Sequence, residues 1–188
     1  RASRAQVGEL LAPLGPTDRA RLVGAMAPVE ALLGSATVGG GAAGEILVRR
    51  HKPGDMGAVI SGHARLYHEE FGWDVTFEAM VAEIAAKFIV EHDPARERAY
   101  IAEHLGDVVG SAFVVRDTIE TAKLRLVYVE RRMRGTGLGT RLVREAISFA
   151  RGSGYRRLTL WTNAILHAAR RIYEREGFLL VSEEGHTS

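Results

Sequence analysis

The chain's 188 residues are 46% apolar and 26% charged, a globular composition with length for one full domain and an appendage. A formal charge of +2, from 25 Lys and Arg against 23 Asp and Glu, is too small to argue for nucleic acid, and no apolar run reaches the roughly 20 residues of a membrane-spanning helix. With no cysteine, disulfides, thiolate metal sites and a cysteinyl acyl-enzyme are excluded, and a reducing cytoplasm is a compatible setting.

The opening residues, Arg1, Ala2, Ser3 and Arg4, lack the continuous apolar run of a signal peptide. Val7, Leu10, Leu11 and Leu14, then Leu22, Val23, Met26, Val29 and Leu33, recur at spacings of three and four, the period of two amphipathic helices. Pro16 separates them and Thr17 or Asp18 is placed to cap the second. Residues 1–33 therefore read as an α-helical hairpin. So short a hairpin must pack on something else or on a second copy of itself. The glycine-rich residues 34–44 read as a flexible linker, which places a domain over 45–188.

In that domain the pattern predicts a strand over 45–50 and helices over 55–69 and 75–91, the second with Phe77, Met80, Val81, Ile84, Phe88 and Ile89 on one stripe. Strands follow over 98–103, 108–115 and 122–129, with turns at Gly106-Asp107 and 117–120. A glycine-rich loop spans 135–139, followed by a helix from Thr140 to about Arg151 and a strand over 157–161. A helix over 165–176 ends at Gly177, and residues 178–181 supply one more strand. This order predicts an α/β protein with a mixed sheet and helices on both faces.

The loop carries the chemistry. Val127, Tyr128 and Val129 lead through Glu130 to Gly135-Thr136-Gly137-Leu138-Gly139, and a helix opens directly behind. Alternate glycines let backbone amides approach an anion, and the helix start adds a partial positive charge. A dinucleotide fingerprint fails because position 140 is Thr140, and no lysine follows Gly139 as a P-loop requires. Seven histidines do not reach metal-ligand spacing: His68-Glu69-Glu70 lacks a second histidine four residues on.

Arg134 to Gly139 fits R-x-x-G-x-G, and Ala169 to Phe178 fits A-x-x-[LI]-Y-x-x-x-G-F. The two motifs together resemble the GNAT acetyltransferase superfamily, over residues 45 to about 181. The resemblance implies the GNAT acyl-CoA N-acyltransferase fold and direct transfer of an acetyl group from acetyl-CoA to a small-molecule or protein amine. It assigns Val127, Tyr128 and Val129 to the pantetheine arm, and Arg134, Gly135, Thr136, Gly137, Leu138, Gly139 and Thr140 to the pyrophosphate. Tyr173 becomes the acid that protonates the leaving thiolate, and Asn163 a further cofactor contact. The base stays open between Glu91, Glu130 and a water relay, since residues 122–129 contain no glutamate. Arg131, Arg132, Arg170 and Arg171 could meet the 3′-phosphate or form a solvated basic face.

The hairpin resembles the carboxy-terminal dimerisation helices of MarR-type regulators, which implies a homodimer and DNA contact only through an upstream domain. The rival reading is then an acyl-CoA- or amine-sensing module of such a regulator. The family also closes its sheet with a strand beside the one at 157–161; with Ser188 as the last residue given, that strand is expected from outside these residues or from a neighbouring chain.

Overall fold

Alternating apolar residues between 98 and 129 form the expected meander: β2 (Arg98–His104), β3 (Asp107–Arg116) and β4 (Thr121–Val129), each antiparallel to the next. The computed structural model describes residues 44–182 together with Gly15, Thr17 and Asp18. The chain divides into two units, 1–43 and 44–188. The expected hairpin and linker otherwise lie outside the described residues, and the sheet with its helices belongs to the second unit.

β1 (Leu47–Arg50) pairs antiparallel with β2, and β5 (Arg157–Leu160) pairs parallel with β4, so the five strands lie in the order β1-β2-β3-β4-β5. Helices α1 (Asp55–Phe71) and α2 (Val75–Glu91) cover one face; α3 (Leu138–Gly152) and α4 (His167–Arg175) belong to the other. On the first face Val59, Val81 and Phe88 bury against Ile101 and Phe113; on the second Leu142, Val143 and Ala146 bury against Ala112 and Val114. Each of the larger side chains contributes about 1.5–3 kcal/mol by leaving water. This is the mixed α/β architecture expected.

α1 ends at Gly72, whose left-handed φ of 70° lets its N–H reach His68 O at 2.9 Å. Only Trp73 and Asp74 follow before α2, which Asp74 caps by accepting the Thr76 N–H at 2.9 Å. The first two helices thus form a tight antiparallel pair, with Trp73 fixed at its turn.

β4 contains one residue more than its partner. Phe113 pairs with Arg125 but Ser111 pairs with Tyr128, leaving Leu126 and Val127 opposite a single residue. Leu126 adopts φ 46°, rare for a branched side chain, and its carbonyl accepts the buried Ser111 hydroxyl at 2.6 Å. The bulge reverses the faces: Ala122 and Leu124 pack with α3, whereas Leu126 and Tyr128 pack with α1 and α2. Pairing of β4 with β5 stops at the same point, after Leu124 opposite Leu160. β5 ends there, and the β4 edge beyond Leu124 is left without a ladder partner on that side among the described residues, an open edge that forms the cleft.

Several boundaries shift. α1 runs to Phe71, α3 begins at Leu138, β5 stops at Leu160 and α4 starts at His167. The strand expected over 178–181 does not form; Leu179, Leu180 and Val181 are exposed there with no ladder partner among the described residues.

At the base of the sheet Arg49 donates to Asp55 at 2.6 Å and 2.9 Å and to Glu103 at 2.7 Å, tying β1 to α1 and β2. Burial pushes the Asp55 carboxyl up, but the Arg49 guanidinium and the Lys52 N–H outweigh it and hold it below its ordinary 3.8. A carboxyl depressed on folding adds stability above its unfolded pKa, and that stability is lost as pH falls through the lower folded value. Urea midpoints should therefore drop below about pH 4. Asp55→Asn should lose about 1.5–3 kcal/mol near neutral pH and weaken that acid dependence; a wild-type acid limb in the variant would place the dependence elsewhere.

Candidate active site

The chain leaves β4 through Glu130, whose N–H donates to Val109 O at 2.8 Å. Strand alternation then turns the Val129 N–H and C=O to the opposite edge, into the cleft. A short 3₁₀ turn, Arg131–Met133, buries Met133 and brings the chain back under its own exit. The Thr136 hydroxyl donates to Met133 O at 2.7 Å, and Gly135 and Gly137 take φ 79° and 84°. These left-handed positions turn the chain sharply into α3, where the first backbone bond is from Arg141 N–H to Gly137 O at 3.0 Å. Among the described residues no backbone carbonyl takes the N–H of Gly135, Thr136, Gly137, Leu138, Gly139 or Thr140. The loop therefore presents a run of free donors at a helix start, which suits phosphate oxygens.

Gly139 has a separate reason to lack a side chain. A Cβ there would lie 2.9 Å from Ile172 Cδ1 and 3.7 Å from Val129 Cγ2. Its absence lets Ile172 of α4 approach the loop beside Val129 of β4. Tyr173 is 9% exposed, with its ring edge-on to Phe178 at 5.8 Å. Burial, with Tyr67 adding, pushes its hydroxyl well above the ordinary tyrosine range, so it holds its proton at every pH of interest.

Tyr67, on α1, was not singled out by the sequence. It lies within electrostatic reach of Tyr173, Arg134 and Glu70. Its ring packs against Trp73 and Phe77, both at 4.9 Å, and burial pushes its hydroxyl up to about 12. One turn on, Glu70 accepts from Arg131 at 3.2 Å and from Arg134 at 2.8 Å. The Arg134 guanidinium is thus engaged by α1, and what the loop offers an anion is chiefly its amides. The periodic apolar stripe of α1 gave no sign of either role.

Other expected residues fall in distinct places. The Tyr128 side chain points to the α1 face, away from Val127 and Val129, so only its backbone borders the cleft. Its ring lies 4.5 Å from His63, whose Nδ1–H donates to Val59 O at 2.9 Å while burial lowers its pKa to about 4. The Tyr128 hydroxyl has no hydrogen-bond partner among the described residues. Asn163 stands past the end of β5, where its Oδ1 accepts the Ile165 N–H at 3.1 Å and it lines a groove with Trp161, Trp73 and Phe77. Glu130 is paired with Arg65. Glu91 pairs with Lys87 at the far end of α2, about 16 Å along the axis from Met80 at the groove. Arg132 pairs with Asp107.

The family model of the acetyltransferase (GNAT) family matches residues 61–178. The chain belongs to that family. It is 32% identical over 111 residues to an N-acetylaspartate synthetase of Danio rerio, covering 58% of this chain and 38% of that protein's length. Among solved structures, a GNAT-family acetyltransferase from Staphylococcus aureus Mu50 superposes with a TM-score of 0.62 at 15% identity, covering 71% of this chain and 84% of that one. A predicted acetyltransferase from Clostridium acetobutylicum, solved with acetyl-CoA, gives a TM-score of 0.60 at 15% identity over 77% and 96%. Among the described residues no helix is long and apolar enough to cross a membrane.

Two substitutions probe the site's construction. Ser111→Ala leaves the Leu126 carbonyl without its partner at the bulge and should cost about 1–3 kcal/mol in urea unfolding. Tyr128→Phe removes an unpartnered buried hydroxyl and should stabilise by about 1 kcal/mol. Loss of stability in Tyr128→Phe would mean that the hydroxyl has a partner.

Proposed function

We propose that this chain transfers the acetyl group of acetyl-CoA directly to a primary amine. The observation that supports this reading is the run of free amides at residues 135–140, directly after a β4 edge left unpaired beyond Leu124, in a chain of the acetyltransferase (GNAT) family. Acetyl-CoA supplies the acetyl group as a thioester. The loop amides hold its pyrophosphate, and the edge of Val127 to Val129 pairs with its pantetheine arm as an added strand. An N–H of that edge polarises the thioester carbonyl, where negative charge develops during transfer. Tyr173, kept neutral by burial, donates its proton to the departing sulfur. Asn163 reaches the cofactor only if its turn at Ile165 opens, and we assign it a secondary part.

The helical period of residues 1–33 supports a homodimer through a MarR-like hairpin ahead of this domain, and the cysteine-free chain suits the cytoplasm.

Thermal shift with acetyl-CoA tests the reading without knowledge of the acceptor. At about 100 times its Kd a ligand adds roughly 2.7 kcal/mol, a Tm rise of about 5–10 °C for a chain this long, and ATP and NADPH should give none. Tyr173→Phe should keep the shift and lower kcat by about 10²–10⁴-fold. A folded sample without a shift would remove the assignment.

A further inference from the structure

Beside the transfer point lies a groove of about 440 Å³, lined by Trp73, Asp74, Thr76, Phe77, Met80 and Trp161, with Gly72 and Asn163 at its ends. Its volume suits a small organic molecule. One wall is rigid: the Trp73 ring lies 4.5 Å edge-on from Phe77 and 4.9 Å from Tyr67, and is held further by Phe71 at 6.0 Å. Trp161, 62% exposed at the end of β5, forms the other. The groove also adjoins the loop, because Tyr67, which packs on Trp73 and Phe77, lies one helical turn before Glu70, which holds Arg131 and Arg134.

The charge of the lining is equally selective. Among the described residues no lysine, arginine or histidine borders the groove, and its one ionisable group is Asp74. Bonds from the Thr76 hydroxyl and N–H hold the Asp74 carboxyl below its ordinary range, so it is anionic at neutral pH. A carboxylate-bearing acceptor would meet a like charge with no counter-ion in the lining. A flat ring would meet three aromatic side chains, and an amine arriving as ammonium would be drawn by the carboxylate and the ring faces.

We infer that the acceptor is a primary amine joined by a short chain to a flat aromatic group, and not an acidic amino acid. This rests on the acetyl transfer proposed above. The ring lies between Trp73, Phe77 and Trp161, and the amine points past Tyr67 toward Tyr173. In the step, the ammonium first loses a proton to solvent; the neutral nitrogen then forms the new C–N bond as the C–S bond breaks and gives up a second proton to solvent, while the sulfur gains one from Tyr173, which solvent reprotonates. Chemically this departs from the Danio rerio relative, whose name specifies N-acetylaspartate as its product.

The test measures release of the coenzyme-A thiol from the full chain at saturating acetyl-CoA. The acceptors are 2-phenylethylamine, tryptamine, butylamine, spermidine and aspartate. The aromatic amines should exceed each of the others in kcat/KM by at least about tenfold. Trp73→Ala should raise KM for them by about tenfold or more, with little change for butylamine and an unchanged acetyl-CoA thermal shift. Trp161→Ala, at an exposed position, provides the same readout should Trp73→Ala fail to fold. Preference for aspartate, parity of butylamine with the aromatic amines, or no turnover of the aromatic amines by a protein that acetyl-CoA stabilises would each overturn the inference. An absent acetyl-CoA shift would instead sink the underlying transfer reading.

Discussion

The site depends on one extra residue in β4. A regular strand would carry Leu126 to the α3 face and continue its ladder with β5; the bulge sends Leu126 and Tyr128 to the α1 face and coincides with the end of that ladder. The left-handed Leu126 would be costly if left to itself, by roughly 1–3 kcal/mol for a residue in so sparse a region. It is held by burial of its own side chain and by the Ser111 hydroxyl on its carbonyl. Strain and face reversal are therefore one feature, and it coincides with the end of the edge strand β5, beyond which β4 has an open backbone edge.

An open edge normally invites aggregation. Here it sits between the glycine loop and α4, and the loop adds donors where the edge ends. Gly135 and Gly137 set the turn by their left-handed φ, while Gly139 serves the approach of Ile172. Three glycines in one short run thus answer to two different constraints. Substitution by alanine would strain the backbone at the first two and crowd a helix contact at the third.

That pattern explains what was legible in the sequence. The meander, the four helices and the loop declare themselves through periodicity or glycine spacing, because each rests on local chain chemistry; Tyr173 entered only through the family resemblance of residues 169–178. Leu126 carries no such mark: its conformation is imposed by Ser111 and by packing across the sheet, and a leucine in an apolar run reads as ordinary strand. Residues 178–181 misled for the opposite reason, since β-propensity was present without a neighbouring strand to pair with among the described residues. Tyr67 and Glu70 were invisible because helical period predicts which face is buried, not what lies opposite it.

Those two residues show how the parts of the site are linked. His63, Tyr67 and Glu70 follow one another at four and three residues along α1, so they share a face. His63 packs on Tyr128 beside the bulge, Tyr67 faces the cleft and Tyr173, and Glu70 holds Arg131 and Arg134 of the loop. The helix ends directly after, at Phe71, and beyond its Gly72 cap comes Trp73 of the groove. Two turns of one helix therefore meet the strained strand, the glycine loop and, through Tyr67, the aromatic wall of the groove.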